Sequence, residues 1–333
     1  MNRAVLIFLL FSITLASRPA HAQNQRVEME LAEQFFSNAE YEKAVEVYEE
    51  IYKNSYSDHI YSRLLESYIK LEQYKEAEKL VKKNIKNHPS RLDLKVDLGY
   101  LERLQGNDRA AEKEFKAALD NLPVNMQSIA VLSNAFIEKQ EYHFAEATYM
   151  KGRTLLQNEN LYFFELARVY SFMGQTEKML NEYLNVLATN PAYLQSIQNV
   201  LQSLMNPDHD GAMSEKIRKN LLRRIQNSPE ETVFSELLIW LYIQNEDYAG
   251  AFVQAKALDR RKGENGNRLY SLAQISAANK KYDIAEKSYR YVIEKGKTSP
   301  LYLNARMELV KMLKEKVISD PSYTELQLKE LKT

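Results

Sequence analysis

Two short stretches of the sequence carry residue types that could do chemistry. Ser67 and Lys70 form an S-x-x-K pattern, which in penicillin-recognising enzymes places a nucleophilic hydroxyl beside an activating amine. Those enzymes also carry K-T-G and S-D-N patterns. Here Lys297-Thr298 is followed by Ser299, and no S-D-N occurs. Because a four-residue match inside a helical pattern arises easily by chance, we predict a structural role for Ser67.

The second stretch is the loop Asn206–Gly211, which could bind calcium. Four of its residues stand at positions 1, 3, 5 and 6 of a helix-flanked calcium loop, namely Asn206, Asp208, Asp210 and Gly211. The twelfth position of such a loop is a bidentate Glu, but here it is Ile217, and Pro207 is an unusual insertion. Asp and Asn before a helix are more often caps and turn formers. We therefore expect a turn, and we predict no metal or other cofactor.

Histidines and basic clusters offer no further catalytic site. Beyond residue 22 the chain has four histidines, and no H-E-x-x-H pattern or zinc-type spacing joins His59, His88, His143 and His209. No Gly-rich phosphate loop occurs. Arg260-Arg261-Lys262 before Gly263 fits a helix end, where cations meet the C-terminal dipole. The sequence therefore predicts a protein that is not an enzyme.

The elements that must position any binding residues are paired helices that recur with a constant period. Leu92–Asn125 contains two apolar stripes at helical spacing, separated by Gly106-Asn107-Asp108 and closed by Pro123. The small residue of the second stripe recurs at nearly equal intervals at Ala44, Ala77, Ala111 and Ala145, and again at Ala251 and Ala285. Neither stripe can be buried alone, so neighbouring units must stack.

These residues resemble the tetratricopeptide repeat family, whose unit is a helix pair of about 34 residues. Its pattern is matched in Leu92–Asn125 by Leu98-Gly99, Ala111, Phe115, Ala118 and Pro123. Three other units match with Leu31-Ala32, Phe35, Ala44 and Tyr48, with Leu166-Ala167, Tyr170, Gly174, Tyr183 and Pro191, and with Leu272-Ala273, Ala285 and Tyr289. The resemblance covers roughly residues 25–297. It implies an all-α, right-handed solenoid of about eight antiparallel helix pairs.

Some units depart from the pattern. Met179 stands where the fifth unit should have Ala, and the sixth pair, residues 192–229, carries extra residues between predicted helices 193–205 and 212–227. Leu301–Val317 is predicted to form one more amphipathic helix, and Asp320-Pro321 to begin a short last helix ending near Leu331. We predict a solenoid over residues 23–300 and capping helices over 301–333. A degenerate ninth pair over 301–331 is the alternative.

The resemblance implies that the first helix of each pair lines a concave groove. The positions just after each Leu-Gly or Leu-Ala pair, and four before it, are Val96 and Tyr100, Ala130 and Asn134, Phe164 and Arg168, Gln198 and Gln202, Glu236 and Trp240, and Tyr270 and Gln274. Aromatics mixed with amides are typical of peptide-binding surfaces. We predict that a partner protein contacts Tyr100, Asn134, Phe164, Arg168, Gln202, Trp240 and Tyr270. The alternative is that Phe164 and Trp240 pack between helices.

One variety of the family is not expected. The carboxylate-clamp members carry Lys and Asn one turn apart on the groove face. In this sequence Asn134 is accompanied by Ala130 instead of Lys. Capture of a C-terminal carboxylate is therefore not predicted.

The N-terminal 22 residues resemble a secretory signal peptide. Arg3 precedes a mostly apolar run, Ala4–Ala16, and Ala20-His21-Ala22 supplies the small residues of a cleavage site before Gln23. A membrane anchor is the alternative, but the run is shorter than the ~20 residues that span a bilayer. No other stretch could do so. With no cysteine, the chain has neither disulfides nor a lipid-modified N-terminal Cys. A Gram-negative periplasm fits best, and an extracellular destination stays open.

Charge and composition limit the classes of partner that the protein can be expected to bind. The 45 basic and 45 acidic residues are well mixed, so neither nucleic acid nor an anionic membrane surface is favoured. We predict a non-catalytic protein–protein interaction scaffold of the bacterial cell envelope that binds a partner segment in its groove. Two alternatives are a glycan-binding or accessory protein of cell-wall or polysaccharide metabolism, and a self-assembling structural subunit.

Overall fold

The structure is a computed structural model that describes residues 26–206 and 211–319, with side chains up to Val317. Three predicted features lie outside these residues: the signal peptide over 1–22, the acidic loop positions Asp208 and Asp210 with His209 between them, and the last helix from Asp320 to Leu331.

Within the described residues the fold is all-α, as predicted, with seventeen α-helices and no strand. The chain divides into two compact units, one up to Glu159 and one from Asn160. The first unit holds four helix pairs: α1 (26–37) with α2 (Tyr41–Asn54), α3 (Asp58–Lys70) with α4 (Tyr74–Asn87), α5 (Asp93–Leu104) with α6 (Asp108–Asp120), and α7 (Met126–Glu138) with α8 (Tyr142–Leu155).

The second unit holds four more pairs and a final helix. These are α9 (Phe163–Phe172) with α10 (Thr176–Thr189), α11 (Leu194–Met205) with α12 (Ala212–Asn227), α13 (Thr232–Gln244) with α14 (Tyr248–Lys262), α15 (Asn267–Ala278) with α16 (Tyr282–Glu294), and α17 (Tyr302–Ser319). A single 3₁₀ turn, Pro191–Tyr193, precedes α11. The bounds of α11 and α12 agree with those predicted for the irregular sixth pair to within one residue.

Close crossing of the two helices of a pair explains the repeated small residue. The six repeat alanines are all 0% exposed, and Met179, which replaces Ala in the fifth unit, is 3% exposed. In α5 the approach is closest at Gly99, where an added Cβ would lie 2.3 Å from Cε1 of Phe115. Only a residue without a Cβ fits this position. The predicted architectural role of Gly99 and Ala111 is therefore confirmed.

Ala111→Leu is expected to lower the free energy of unfolding by roughly 1–3 kcal/mol, because the larger side chain overpacks the crossing of α5 and α6. Thermal unfolding followed by circular dichroism measures the effect. The matched control is Lys113→Leu on the same helix, which introduces the same side chain at an exposed position. An unchanged Tm for Ala111→Leu would contradict the assigned crossing.

The turn between the two helices has one conformation in seven of the eight pairs. One residue there has a positive φ of 56–79°, and the next N–H donates to the carbonyl five residues earlier at 2.8–2.9 Å. This geometry is a Schellman-type helix end. Glycine fills the position only at Gly106 and Gly174; elsewhere it is Ala39, Glu72, Gln140, Glu246 and Lys280. The sequence indicated the break at Gly106 but not the five non-glycine turns.

The final helix, α17, extends two residues beyond the predicted Leu301–Val317. One of its faces carries Leu303, Met307 and Val310, which are 58–69% exposed, while Ala305, Leu309 and Met312 pack into the core of the second unit. No helix in the part of the chain that the structure describes is long and apolar enough to cross a membrane.

Candidate binding surfaces

The first unit contains a groove of 540 Å³ that is lined by the first helices of three successive pairs. Tyr61, Leu65 and Ile69 contribute from α3, Asp97 and Tyr100 from α5, and Val131, Asn134 and Lys139 from α7 or its C-terminal end. We call it the α3–α5–α7 groove. First helices of the pairs line it, as the sequence resemblance implied.

The floor of this groove is a hydrogen-bonded ion pair. The Tyr61 hydroxyl donates to Oδ2 of Asp97 at 2.8 Å, and Nζ of Lys139 lies 3.2 Å from Oδ1 of the same carboxylate. Lys139 also lies over the Tyr100 ring, 5.2 Å from its centroid. Burial raises the pKa of Asp97 above its usual range, and the contacts with Lys139 and Tyr61 offset part of that rise. These contacts hold three helices in register and fix the Tyr100 ring beneath a cation.

A second charge cluster closes one end of the groove. Arg91 pairs with Asp93 at 2.5 Å and with Asp58, and it donates to the Tyr56 hydroxyl at 2.9 Å. The hydrogen bonds to Asp93 raise the pKa of Arg91 further above its usual value. Arg91 and Lys139 are therefore neutralised by carboxylates of the chain itself. Aromatic and amide groups are left to make contacts with a ligand, together with the exposed charges of Glu66, Lys70 and Glu138.

The second unit presents a different surface along α9. Phe164, Arg168 and Phe172 follow one another at intervals of four residues and are all exposed; the Phe side chains are 41% and 46% exposed. The Arg168 guanidinium carbon lies 5.3 Å from the Phe172 ring centroid. The Phe164 ring lies 6.2 Å from Tyr183 and 5.8 Å from Tyr193, of which Tyr193 is 42% exposed. We call Phe164, Arg168, Phe172 and Tyr193 the α9 face.

Comparison with protein-family models gives one match, and it covers the centre of the groove. Residues 62–125 match the tetratricopeptide repeat family. The matched segment includes most of α3, the whole of α4 to α6, and the stretch Leu92–Asn125 from which the resemblance was first drawn. Family models thus support the tetratricopeptide resemblance for these residues. No curated protein matches the chain in sequence.

Two of the solved structures that the chain matches are described as tetratricopeptide repeat proteins. The C-terminal part of a tetratricopeptide repeat-containing protein from Cytophaga hutchinsonii is 17% identical, with a TM-score of 0.30, and the match covers 83% of this chain and 98% of that one. A tetratricopeptide repeat protein from Parabacteroides merdae is 12% identical, with a TM-score of 0.30, and the match covers 87% of this chain and 98% of that one.

Two of the predicted partner-binding residues lie together in the first unit. Tyr100, within the matched residues 62–125, and Asn134 both line the α3–α5–α7 groove, and Asn134 is exposed. Val96 was also expected on the groove face, but that prediction is wrong: Val96 is 0% exposed and belongs to the core. The groove face of α5 carries Asp93, Asp97 and Tyr100 instead. Helical spacing could have identified Asp97.

Five predicted partner-binding residues lie in the second unit. Phe164 and Arg168 are exposed together on α9, whereas Trp240 and Tyr270 are half-buried on α13 and α15. Gln202 on α11 is half-buried and donates to the Asn206 side chain at 3.1 Å. Nothing in the geometry tests their role in binding, which stays a prediction. Phe172 and Tyr193 were missed, although Phe172 continues the four-residue spacing of Phe164 and Arg168.

One further wall residue, Glu236, is engaged in ion pairs. Its carboxylate lies 2.8 Å from Arg268 and 3.7 Å from Lys262. Arg268 also pairs with Glu264 at 2.9 Å. Glu236 therefore connects α13 to the end of α14 and to the start of α15.

The residues that the sequence offered as possible catalytic or metal-binding groups are engaged in packing and internal contacts. Ser67 is 0% exposed, and its hydroxyl donates to the Arg63 carbonyl at 2.8 Å. Ile217, which stands where a calcium loop needs Glu, is 1% exposed in the core. His59 contacts Glu33 at 2.9 Å, and His88 stacks on Tyr56. Among the residues that the structure describes, no group of three or more His, Asp or Glu could hold a metal ion.

Proposed function

We propose that the protein is a non-catalytic scaffold of the bacterial cell envelope that binds a segment of a partner protein in the α3–α5–α7 groove. The observation that carries the proposal is the groove itself, with Tyr100 and Asn134 side by side on adjacent first helices. Tetratricopeptide folds generally mediate protein–protein interactions, and the matched segment spans the centre of this groove.

The shape and chemistry of the groove suit an extended peptide. Neighbouring helices pack about 8–10 Å apart, so three of them span about 16–20 Å. An extended chain rises about 3.3 Å per residue and would place five or six residues across them. The exposed Asn134 amide can both donate to and accept from a peptide backbone. Tyr100, Ile69 and Val131 supply apolar contact area.

The groove is also preformed, which lowers the cost of binding. Tyr61, Asp97 and Lys139 connect all three helices through hydrogen bonds of 2.8–3.2 Å. A site that needs no reordering loses less side-chain entropy when the partner binds. Because Lys139 and Arg91 are already paired, their contribution to the salt dependence of binding is expected to be small.

The envelope location is supported by the N-terminal sequence. Arg3, the apolar run Ala4–Ala16 and the small residues before Gln23 have the order of a secretory signal. A secretory signal of this kind would direct export to the periplasm. The second unit contributes Phe164, Arg168, Gln202, Trp240 and Tyr270 as further proposed contacts.

Site-specific photocrosslinking in exporting cells tests the proposal. A photoreactive amino acid at Asn134 is expected to capture a distinct protein, and Tyr100→Ala is expected to lower the yield at least about threefold through the loss of an aromatic anchor. The matched control is the same photoreactive group at Lys116 on α6, whose side chain is 64% exposed. Equal adducts at both positions, or none at Asn134, would contradict the proposal.

A further outcome of the crosslinking experiment and a separate fluorescence titration test the two alternatives. An adduct of twice the mass of the chain would assign the groove to self-assembly. For the glycan alternative, Trp240 is the only Trp and is half-buried, so its fluorescence can report a ligand. We expect no response to soluble cell-wall glycan, and a saturable change would favour glycan binding.

A further inference from the structure

The α9 face combines exposed aromatic rings with an exposed arginine. Two phenylalanines are more than 40% exposed one turn above and one turn below an exposed arginine. Exposed apolar patches around a polar centre mark interaction sites more often than scattered single residues do. Arg and aromatic side chains are also the residues most enriched among those that dominate binding energy.

The contact partner of Arg168 is an aromatic ring and not a carboxylate. Several other arginines pair with a carboxylate of the chain, as in Arg63–Glu33, Arg91–Asp93, Arg103–Glu141, Arg218–Glu215, Arg268–Glu236 and Arg290–Glu286. Within the described residues, the exposed Arg109, Arg260 and Arg306 make no such ion pair. None of the carboxylates in the described residues lies within 4.0 Å of Arg168, which contacts the Phe172 ring instead. Its guanidinium is therefore held over an aromatic ring while its N–H donors face solvent.

The rings beside Arg168 are fixed in place. Phe164 contacts Tyr183 and Tyr193 at centroid distances of 6.2 and 5.8 Å, which anchors it against α10 and the 3₁₀ turn. Burial raises the pKa of Tyr183, as expected for a phenol within packed surroundings. Phe172 is held by the cation–π contact with Arg168. The face is thus a preformed row of apolar, cationic and apolar groups.

We infer that the α9 face binds a partner segment in which an acidic side chain is flanked on both sides by apolar ones. This inference rests on the proposed function and specifies the partner chemistry for the second unit. Charge complementarity predicts that the central residue of the partner segment is acidic, because a carboxylate can accept two parallel N–H donors from Arg168. The two Phe side chains predict that the residues on either side of it are apolar.

The spacing of the row selects the conformation of the partner. Four helical residues rise about 6 Å, so the three groups of the α9 face lie about 6 Å apart. In an extended chain, side chains two residues apart point to the same side and are separated by about 6.6 Å. The segment therefore has the pattern apolar-x-acidic-x-apolar in an extended conformation, with both x residues directed away from α9.

The acidic residue is expected to set specificity more than affinity. A carboxylate opposite Arg168 gains a charge-assisted pair, whereas a lysine there meets a like charge beside apolar groups. An amide can accept only a neutral hydrogen bond from the guanidinium. We expect at least tenfold weaker binding for Gln than for Glu, and no measurable binding for Lys.

The test uses the full chain with immobilised synthetic peptides of the pattern Ser-Leu-Ser-Glu-Ser-Leu-Ser, and with Gln or Lys at the centre. We expect retention in the order Glu, then Gln, with none for Lys. Arg168→Gln should abolish the preference for Glu over Gln, and Arg168→Glu should create a preference for Lys. Phe164→Ala combined with Phe172→Ala should abolish retention of every peptide. Arg290→Glu, an exposed arginine on α16, is the matched control and should change nothing.

The results separate this inference from the proposed function. No retention of any peptide, an order that does not depend on the central charge, or an equal effect of Arg290→Glu would overturn the inference. Preferential retention of a helical peptide with acidic and apolar residues four apart would overturn the extended conformation. The crosslink at Asn134 is in the first unit and does not involve Arg168, so its presence or absence tests the proposed function separately.

Discussion

Replacing Asp259 by Ala is expected to lower the free energy of unfolding of the second unit by about 3–5 kcal/mol, the cost of breaking a buried ion pair by removing one partner. Asp259 is 0% exposed near the end of α14. Its carboxylate accepts from the backbone N–H of Gly266 at 2.8 Å, from the Tyr291 hydroxyl at 2.8 Å, and from Nζ of Lys295 at 2.6 Å.

These three bonds connect separate elements. Gly266 lies in the loop before α15, Tyr291 lies on α16, and Lys295 is the residue that ends α16. The bond with Asp259 raises the pKa of Lys295, so the amine of Lys295 is charged at neutral pH. Without the carboxylate, the Tyr291 hydroxyl and the Gly266 N–H lose their acceptor, and each unpaired buried group costs about 1–3 kcal/mol.

Urea unfolding followed by Trp240 fluorescence measures this effect, because the only Trp of the chain lies in the second unit. Asp283→Ala is the matched control: its side chain is 81% exposed, and it pairs with Lys316 at 3.1 Å on the surface. Exposed pairs contribute at most about 1 kcal/mol. Equal shifts of the two transitions would show that the Asp259 network does not stabilise this unit.

Phe115→Ala is expected to lower the free energy of unfolding of the first unit by about 3–5 kcal/mol, because it leaves a cavity in a tightly packed cluster. Phe115 is 0% exposed. Its ring lies 5.6 Å from Phe136 and 5.1 Å from Phe144, and its edge fills the space beside Gly99. The ring therefore joins α5, α6, α7 and α8.

Amide hydrogen exchange in α5 to α8 is the measurement that locates this loss. Phe172→Ala removes the same side chain from a position that is 46% exposed and is the matched control. Its cost is expected to be about 1 kcal/mol or less, in the range of surface substitutions. Protection in α5 to α8 that falls no further for Phe115→Ala than for Phe172→Ala would contradict the packing assigned to Phe115.

The groove residues include one sequence-based prediction that was wrong, the position of Val96. Val96 and Tyr100 were placed on one inner face because they are four residues apart on a helix. The structure puts Val96 in the core and Asp97 in the groove. A spacing of three or four residues is equally helical, so periodicity alone does not distinguish the two faces. The neighbouring helices α3 and α7 decide which one remains open.

The sequence by itself determined the all-α fold, the helix pairs and their irregular sixth member. Those features follow from local rules, since the repeated alanines mark close crossings and the apolar stripes mark helix faces that must be buried. The 0% exposure of all six repeat alanines confirms that reading.

Only the tertiary structure decided which charges are paired and which remain open. Tyr61, Asp97 and Lys139 are brought together from three helices, and Asp259 meets Lys295 and Tyr291 from a distant segment of the chain. Arg168 meets no carboxylate at all among the described residues. Ion pairing depends on which side chains from distant segments share a surface, and no period in the sequence encodes that. The repeat determines where helices cross, whereas the side chains between crossings determine what can bind.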